Sequence, residues 1–144
     1  MSPTPPSTPC PCGRLSPRGK PLALADCCGP YLDGGQSVPD AEALMRSRYS
    51  AFVLGRADWL LRTWHPDTRP ATLELDPAER WLGLQVRRHR VIDERRAEVE
   101  FVARSRTGPG PARRLHEASR FERDPVLGWL YRDGDADAGF SSAT

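Results

Sequence analysis

All four cysteines of this 144-residue chain stand in two tight pairs near its start, Cys10-Pro11-Cys12 and Cys27-Cys28, separated by residues 13–26. Three chemistries are open to four thiols so placed: closing a metal shell, serving as a redox or metal-transfer site, or pairing as disulfides. Zinc favours four tetrahedral ligands, with thiolate sulfur at about 2.3 Å, and a shell of four thiolates keeps no position for a substrate, so it is structural. Pro11 stiffens the first pair, and Gly13 and Gly29 follow the pairs where the chain has to turn sharply. Disulfides are disfavoured, because a bridge between the neighbours Cys27 and Cys28 needs a strained ring and intracellular thiols stay reduced. The opening MSPTPPSTP lacks the basic and apolar regions of a secretory signal. No apolar run approaches the ~20 residues of a membrane span, so a cytoplasmic location is expected.

Beyond the cysteines, the chain has no nucleophile elbow, P-loop or glycine-rich dinucleotide fingerprint. Its formal charge is only +2, and Lys20 is the one lysine among 21 basic residues. With 15 prolines, that arginine bias is better read as a GC-rich coding sequence than as nucleic-acid binding, which the 19 acidic residues dilute. His65 and His116, the latter beside Glu117, are the residues suited to acid–base chemistry if the fold brings them together.

The elements that must position these groups follow from periodicity. Residues 29–40, GPYLDGGQSVPD, read as a turn-rich connector. Asp40 or Ser37 caps a helix over 40–54 that stops at Gly55, with Ala41, Leu44, Met45, Ala51, Phe52 and Leu54 near one stripe. Arg48 falls on that stripe and must snorkel or meet a carboxylate. A second helix is expected over 57–64, ended by His65-Pro66, and a third from Asp76-Pro77 through Leu82. From Gly83 the period changes to 2. Four strands follow, near 82–92, 96–106, 113–124 and 127–134, with turns at Asp93-Glu94, TGPGPA and Asp124-Pro125. Helices followed by an antiparallel meander give an α+β fold, and a chain of this length buries roughly two-thirds of its unfolded surface.

Alternation places Ala97, Val99, Phe101 and Ala103 on the face toward the helices, and Leu115, Glu117, Ser119 and Phe121 on the same side of the next strand. Glu117 and Ser119 are costly there without partners, and Arg48 is the expected partner of Glu117. The same groups suit either a buried ion pair or a ligand pocket, for which Arg48, Trp64, His65, His116, Glu117 and Ser119 are the candidates. A slip of one residue would turn His116 inward instead. Trp81, Trp129 and Tyr131 read as packing aromatics. Between Gly83 and Arg123, arginines outnumber acids, so the outer sheet face is a possible phosphate-binding surface.

The stretch CPCG…GK…CCG resembles the SEC-C motif, a zinc knuckle that also ends the protein-translocation ATPase SecA. Its continuation, CCGPYLDGG…AEALMRSRYSAFVLG…DWLLRTWHP, is similar to the bacterial YchJ family, from Cys10 to about Gly134. The resemblance implies an N-terminal knuckle over 10–35, with Cys10, Cys12, Cys27 and Cys28 as the zinc ligands. It also implies an NTF2-like domain over 36–135, a cone of helices packed on a curved sheet. Tails are expected at 1–9 and 136–144. The loop between the pairs is longer than is usual for the motif, with SPRGK in place of Ser-Gly-Lys. SEC-C proteins suggest a non-catalytic interaction module with a partner in protein export or on the ribosome, met through Arg14, Arg18 and Lys20. A small ligand in the cone and nucleic acid on the arginine face are the alternatives.

Overall fold

Asp40 opens the main helix as its spacing predicts, accepting a hydrogen bond from the Ala43 amide at 2.8 Å. The computed structural model describes residues 8–136. Within them a 3-10 turn at Leu24–Asp26 and a short helix α1, Gly29–Leu32, lead to α2, Ala41–Leu54, and α3, Ala57–Arg62. Gly55 closes α2 in the left-handed region at φ 74°, a conformation that costs glycine little.

Four strands follow: β1, Glu79–Val91; β2, Arg96–Thr107; β3, Arg113–Asp124; and β4, Gly128–Ala136. Each pairs antiparallel with the next, in the order β1-β2-β3-β4. This is the α+β meander expected. Bulges between Trp81 and Gly83, between Val86 and Arg88, and between Arg120 and Phe121 bend the strands. The sheet lies against α2, with Val99, Phe101, Ala103 and Phe121 packed on Leu44, Met45 and Tyr49.

Two expected elements change. The third helix does not form: Asp76 makes a turn, taking the Ala78 amide at 2.9 Å, and the chain enters β1 at Glu79. Trp81 drives the difference, because the pleat sends its ring onto Tyr49 and Phe52 at centroid distances of 5.7 and 5.4 Å. α3 ends at Arg62, two residues early. Trp64 and its neighbours then bridge β4 in parallel, with the His65 amide on the Tyr131 carbonyl and the Tyr131 amide on the Thr63 carbonyl, both at 2.7 Å. Of the expected tails, residues 1–7 and 137–144 lie outside the described residues. Pro9 already bridges Ala23, and β4 runs through Ala136. No helix among the described residues is long and apolar enough to cross a membrane.

Candidate functional site

The two cysteine pairs are brought together by a small ribbon. Cys10 donates its amide to Leu22 at 2.9 Å, Leu22 to Arg14 at 3.1 Å and Ser16 to Lys20 at 2.7 Å, so residues 10–22 fold back on themselves. Gly13, at φ 75°, makes the turn after the first pair. The Cys27 amide closes the 3-10 turn on Leu24, and the Cys28 carbonyl starts α1. All four Sγ atoms thereby lie within 4.8 Å of one another, and the thiols are unbridged.

A regular tetrahedron with sulfur about 2.3 Å from its centre has edges of roughly 3.8 Å. Cys12 Sγ and Cys27 Sγ are 3.6 Å apart, so the cluster needs little adjustment to hold an ion. Its electrostatics point the same way. Hydrogen bonds from Cys12, Cys27 and Cys28 pull the Cys10 thiol down, whereas the Cys10 and Cys12 sulfurs push Cys27 and Cys28 up. Sulfurs this close share protons rather than ionise together, and a bound cation is what lets all of them become thiolates. Donor set and spacing both fit a metal.

Cys10, Cys12 and Cys28 are buried, and they belong to the same apolar core as α2. Cys10 Sγ touches Ser50 Oγ at 3.5 Å, and Arg46 of α2 donates to the Cys12 carbonyl at 3.0 Å. Glu42 ties the region together, with Arg46 at 2.9 Å, Arg14 of the ribbon at 3.9 Å and His89 of β1 at 3.8 Å. Arg14 is therefore turned toward the body, while Arg18, Lys20 and the apolar Leu15 are exposed on the ribbon.

The second set of candidates divides. Arg48, Trp64, Glu117 and Ser119 line one cavity of about 140 Å³ between α2 and the inner sheet face, with Met45, Tyr49, Phe52, Trp81, Phe101, Ala103, Leu115 and Tyr131. The register is as alternation predicts, with Phe101 opposite Glu117 and Val99 opposite Ser119. The expected Arg48–Glu117 ion pair is not formed. Arg48, only 5% exposed, donates through Nη1 to the Leu60 carbonyl at 2.8 Å and to Thr63 Oγ1 at 2.7 Å. Its guanidinium lies 4.6 Å from the Tyr131 ring centroid and 5.2 Å from that of Trp64. Burial pushes it down to about 10. Glu117 instead accepts from Ser119 at 2.6 Å and from the Tyr131 hydroxyl at 3.3 Å, both on Oε2. Helix and turn groups reached Arg48 before the carboxylate did.

Neither histidine joins this cavity. His116 points to the opposite sheet face, where Nε2 meets Glu100 Oε2 at 2.6 Å in a buried pair. His65 sits beyond α3, where Nδ1 accepts the Asp67 amide at 3.1 Å and Nε2 lies 3.4 Å from Glu122. The acid–base grouping of His65, His116 and Glu117 is thus absent. On the arginine-rich strands, Arg90, Arg96, Arg113 and Arg120 pair with carboxylates, which lowers the charge offered to phosphate. Sequence reasoning overlooked Tyr131 and Thr63 as partners of Glu117 and Arg48. The inward alternation of β4 against Phe121 was the available signal for Tyr131.

The model for the YchJ middle NTF2-like domain matches residues 40–134. A UPF0225 protein of Polaromonas sp. (strain JS666) is 58% identical over 132 residues, covering 90% of this chain and 94% of the relative. Another, from Bordetella parapertussis, is 54% identical and covers 91% and 96%. Two solved structures share the fold. The solution structure of a SEC-C motif containing protein from Rhodopseudomonas palustris is 34% identical, with TM-score 0.73 and coverage of 90% and 98%. The crystal structure of a SEC-C motif containing protein from Psychrobacter arcticus is 32% identical, with TM-score 0.72 and coverage of 89% and 82%. The family model spans more than half of the chain and both curated relatives are more than 50% identical over nine-tenths of it, so the chain belongs to the YchJ (UPF0225) family.

Proposed function

We propose that Cys10, Cys12, Cys27 and Cys28 hold one zinc ion as a structural site, and that the ribbon it anchors is the docking element of a non-catalytic interaction module. The observation that carries this reading is the approach of all four Sγ atoms to within 4.8 Å of one another, because four thiolates fill a tetrahedral shell and keep no position for a substrate. Four thiolates select a soft or borderline ion, and zinc is the one that prefers their tetrahedral arrangement. The SEC-C descriptions of the two structural neighbours support it. Arg18 and Lys20 stand exposed at the ribbon tip, so the partner is an acidic surface, in protein export or on the ribosome.

Two measurements test this. Elemental analysis of protein purified without chelator is expected to give one zinc per chain, lost in the Cys27→Ser, Cys28→Ser double variant. Co-sedimentation with ribosomal and export-complex fractions is expected at low salt, and to weaken in Arg18→Glu, Lys20→Glu with zinc content unchanged. Sedimentation that ignores both salt and the charge reversal would remove the docking role of the ribbon.

A further inference from the structure

The cavity inside the cone carries a second inference, independent of the metal reading. At about 140 Å³ it is far below the roughly 300–1,000 Å³ of sites for drug-sized ligands, which excludes nucleotides and large cofactors. It is close to the ~150 Å³ that accommodates a benzene ring in an engineered apolar cavity of another protein. Buried Arg48, Ser119, Phe101 and Ala103 form its floor, and the partly exposed Phe52, Trp81 and Leu115 mark its mouth. Aromatic and aliphatic side chains make up most of the wall.

The polar groups in that wall are unevenly satisfied. Glu117 takes two hydroxyl donors on Oε2, which leaves Oε1 as an open acceptor, and its negative charge acts on Arg48 in the same cavity. Arg48 has no carboxylate in contact among the described residues: its partners are a carbonyl, a hydroxyl and two aromatic faces. Both of its hydrogen bonds leave from Nη1, and a guanidinium has three further N–H groups. A buried cation in that state is costly, and an anion beside it recovers most of the cost. The indole N–H of Trp64, another wall residue, is buried and has no acceptor among the described residues. Open donors, three N–H groups of Arg48 and the indole N–H of Trp64, outnumber the open oxygen of Glu117, so an anion is held only with its charge on those donors and its apolar part toward Glu117.

We propose that the cone binds a one-ring carboxylate, an aromatic or unsaturated acid about the size of benzoate, with its carboxylate on Arg48 and its ring against Trp64, Tyr131 and Phe101. The carboxylate accepts from the guanidinium, the indole N–H of Trp64 is the second donor, and the ring replaces water against apolar walls. Arg48 acts here as a binding residue, and Glu117 orders Ser119 and Tyr131 around it.

The probes are benzoate and its neutral near-isostere benzamide, titrated into the full 15N-labelled chain. Benzoate is expected to give saturable amide shifts at Phe101, Ala103, Glu117 and Ser119, with benzamide weaker by about tenfold or more, the scale of one charge-assisted contact. Ala103→Leu, which fills the floor, is expected to abolish the shifts. Arg48→Met is expected to bring the two probes to equal affinity. If that variant does not fold, the comparison of the two probes on the unmodified chain still decides the matter. No saturation by about 10 mM benzoate, an affinity too weak for a built site of this size, would overturn the proposal. So would equal affinity for benzamide in the unmodified chain, or shifts that survive Ala103→Leu.

Discussion

At the scale of single residues, the two clusters of interest were legible to different degrees. The cysteines announce themselves, because thiols are few and their pairing is local in the chain. Arg48 and Glu117 were visible as groups that had to be satisfied, and alternation placed them on facing surfaces. Their partners were not visible, since the choice between Thr63 Oγ1 and the Glu117 carboxylate depends on ångström differences in how α3 ends. Gly134 shows the same limit. A Cβ there would collide with the Glu117 side chain, its Cδ only 2.7 Å away, so the glycine is what lets the carboxylate lie against β4. Gly134→Ala is expected to displace Glu117 from Ser119 and Tyr131 and to lower stability by about 1–3 kcal/mol. The same change in a Glu117→Ala background is expected to cost much less. Urea titrations of all four members of the cycle measure the coupling, and additive effects would place the cost elsewhere.

At the scale of elements, helix α2 and the four strands were legible because each carries its own period and boundary signals. Asp40 before the stripe, Gly55 after it and turn residues between the strands do not depend on the rest of the fold. The Asp76-Pro77 signature misled for the opposite reason. A capping pattern is a local preference, and Trp81 gains more from the aromatic cluster with Tyr49 and Phe52 than a single helical turn returns. Helix α1 was hidden because Gly29-Pro30 and the glycines that follow read as a turn. The cap of α2 gives an element-scale test. Asp40→Ala is expected to lower stability by about 1 kcal/mol, and Asp40→Ser to recover most of it, in urea melts followed by circular dichroism. An unchanged midpoint in the alanine variant would show that tertiary packing alone fixes the start of α2.

At the scale of the whole molecule, the knuckle and the cone share one core, since Cys10, Cys12 and Cys28 pack in the same cluster as Leu44, Tyr49 and Phe121. The sequence suggested two successive units, because the motif boundaries say nothing about which face of α2 receives the cysteines. Removing the proposed ion with a chelator is therefore expected to lower the melting temperature of the entire chain by about 10 °C or more in one transition. Near-ultraviolet circular dichroism of Trp59 and Trp81 reports on the body, and their signal is expected to disappear together with the knuckle. A body transition that stays in place after chelation would separate the two. The order of the strands has a further consequence. Every strand pairs with the one made just before it, so the sheet can assemble in the sequence in which the ribosome releases it, with little loop-closure entropy at each step. The exception is the bridge from Trp64 to Tyr131, which joins the turn after α3 to the last strand. A nascent chain released up to Pro125 would own three strands and an unpaired edge along β3, with Phe121 lacking its contact to Tyr131 until β4 arrives. For this protein the vulnerable interval in biosynthesis falls between the release of β3 and that of β4, while the newest strand edge is open to unwanted partners.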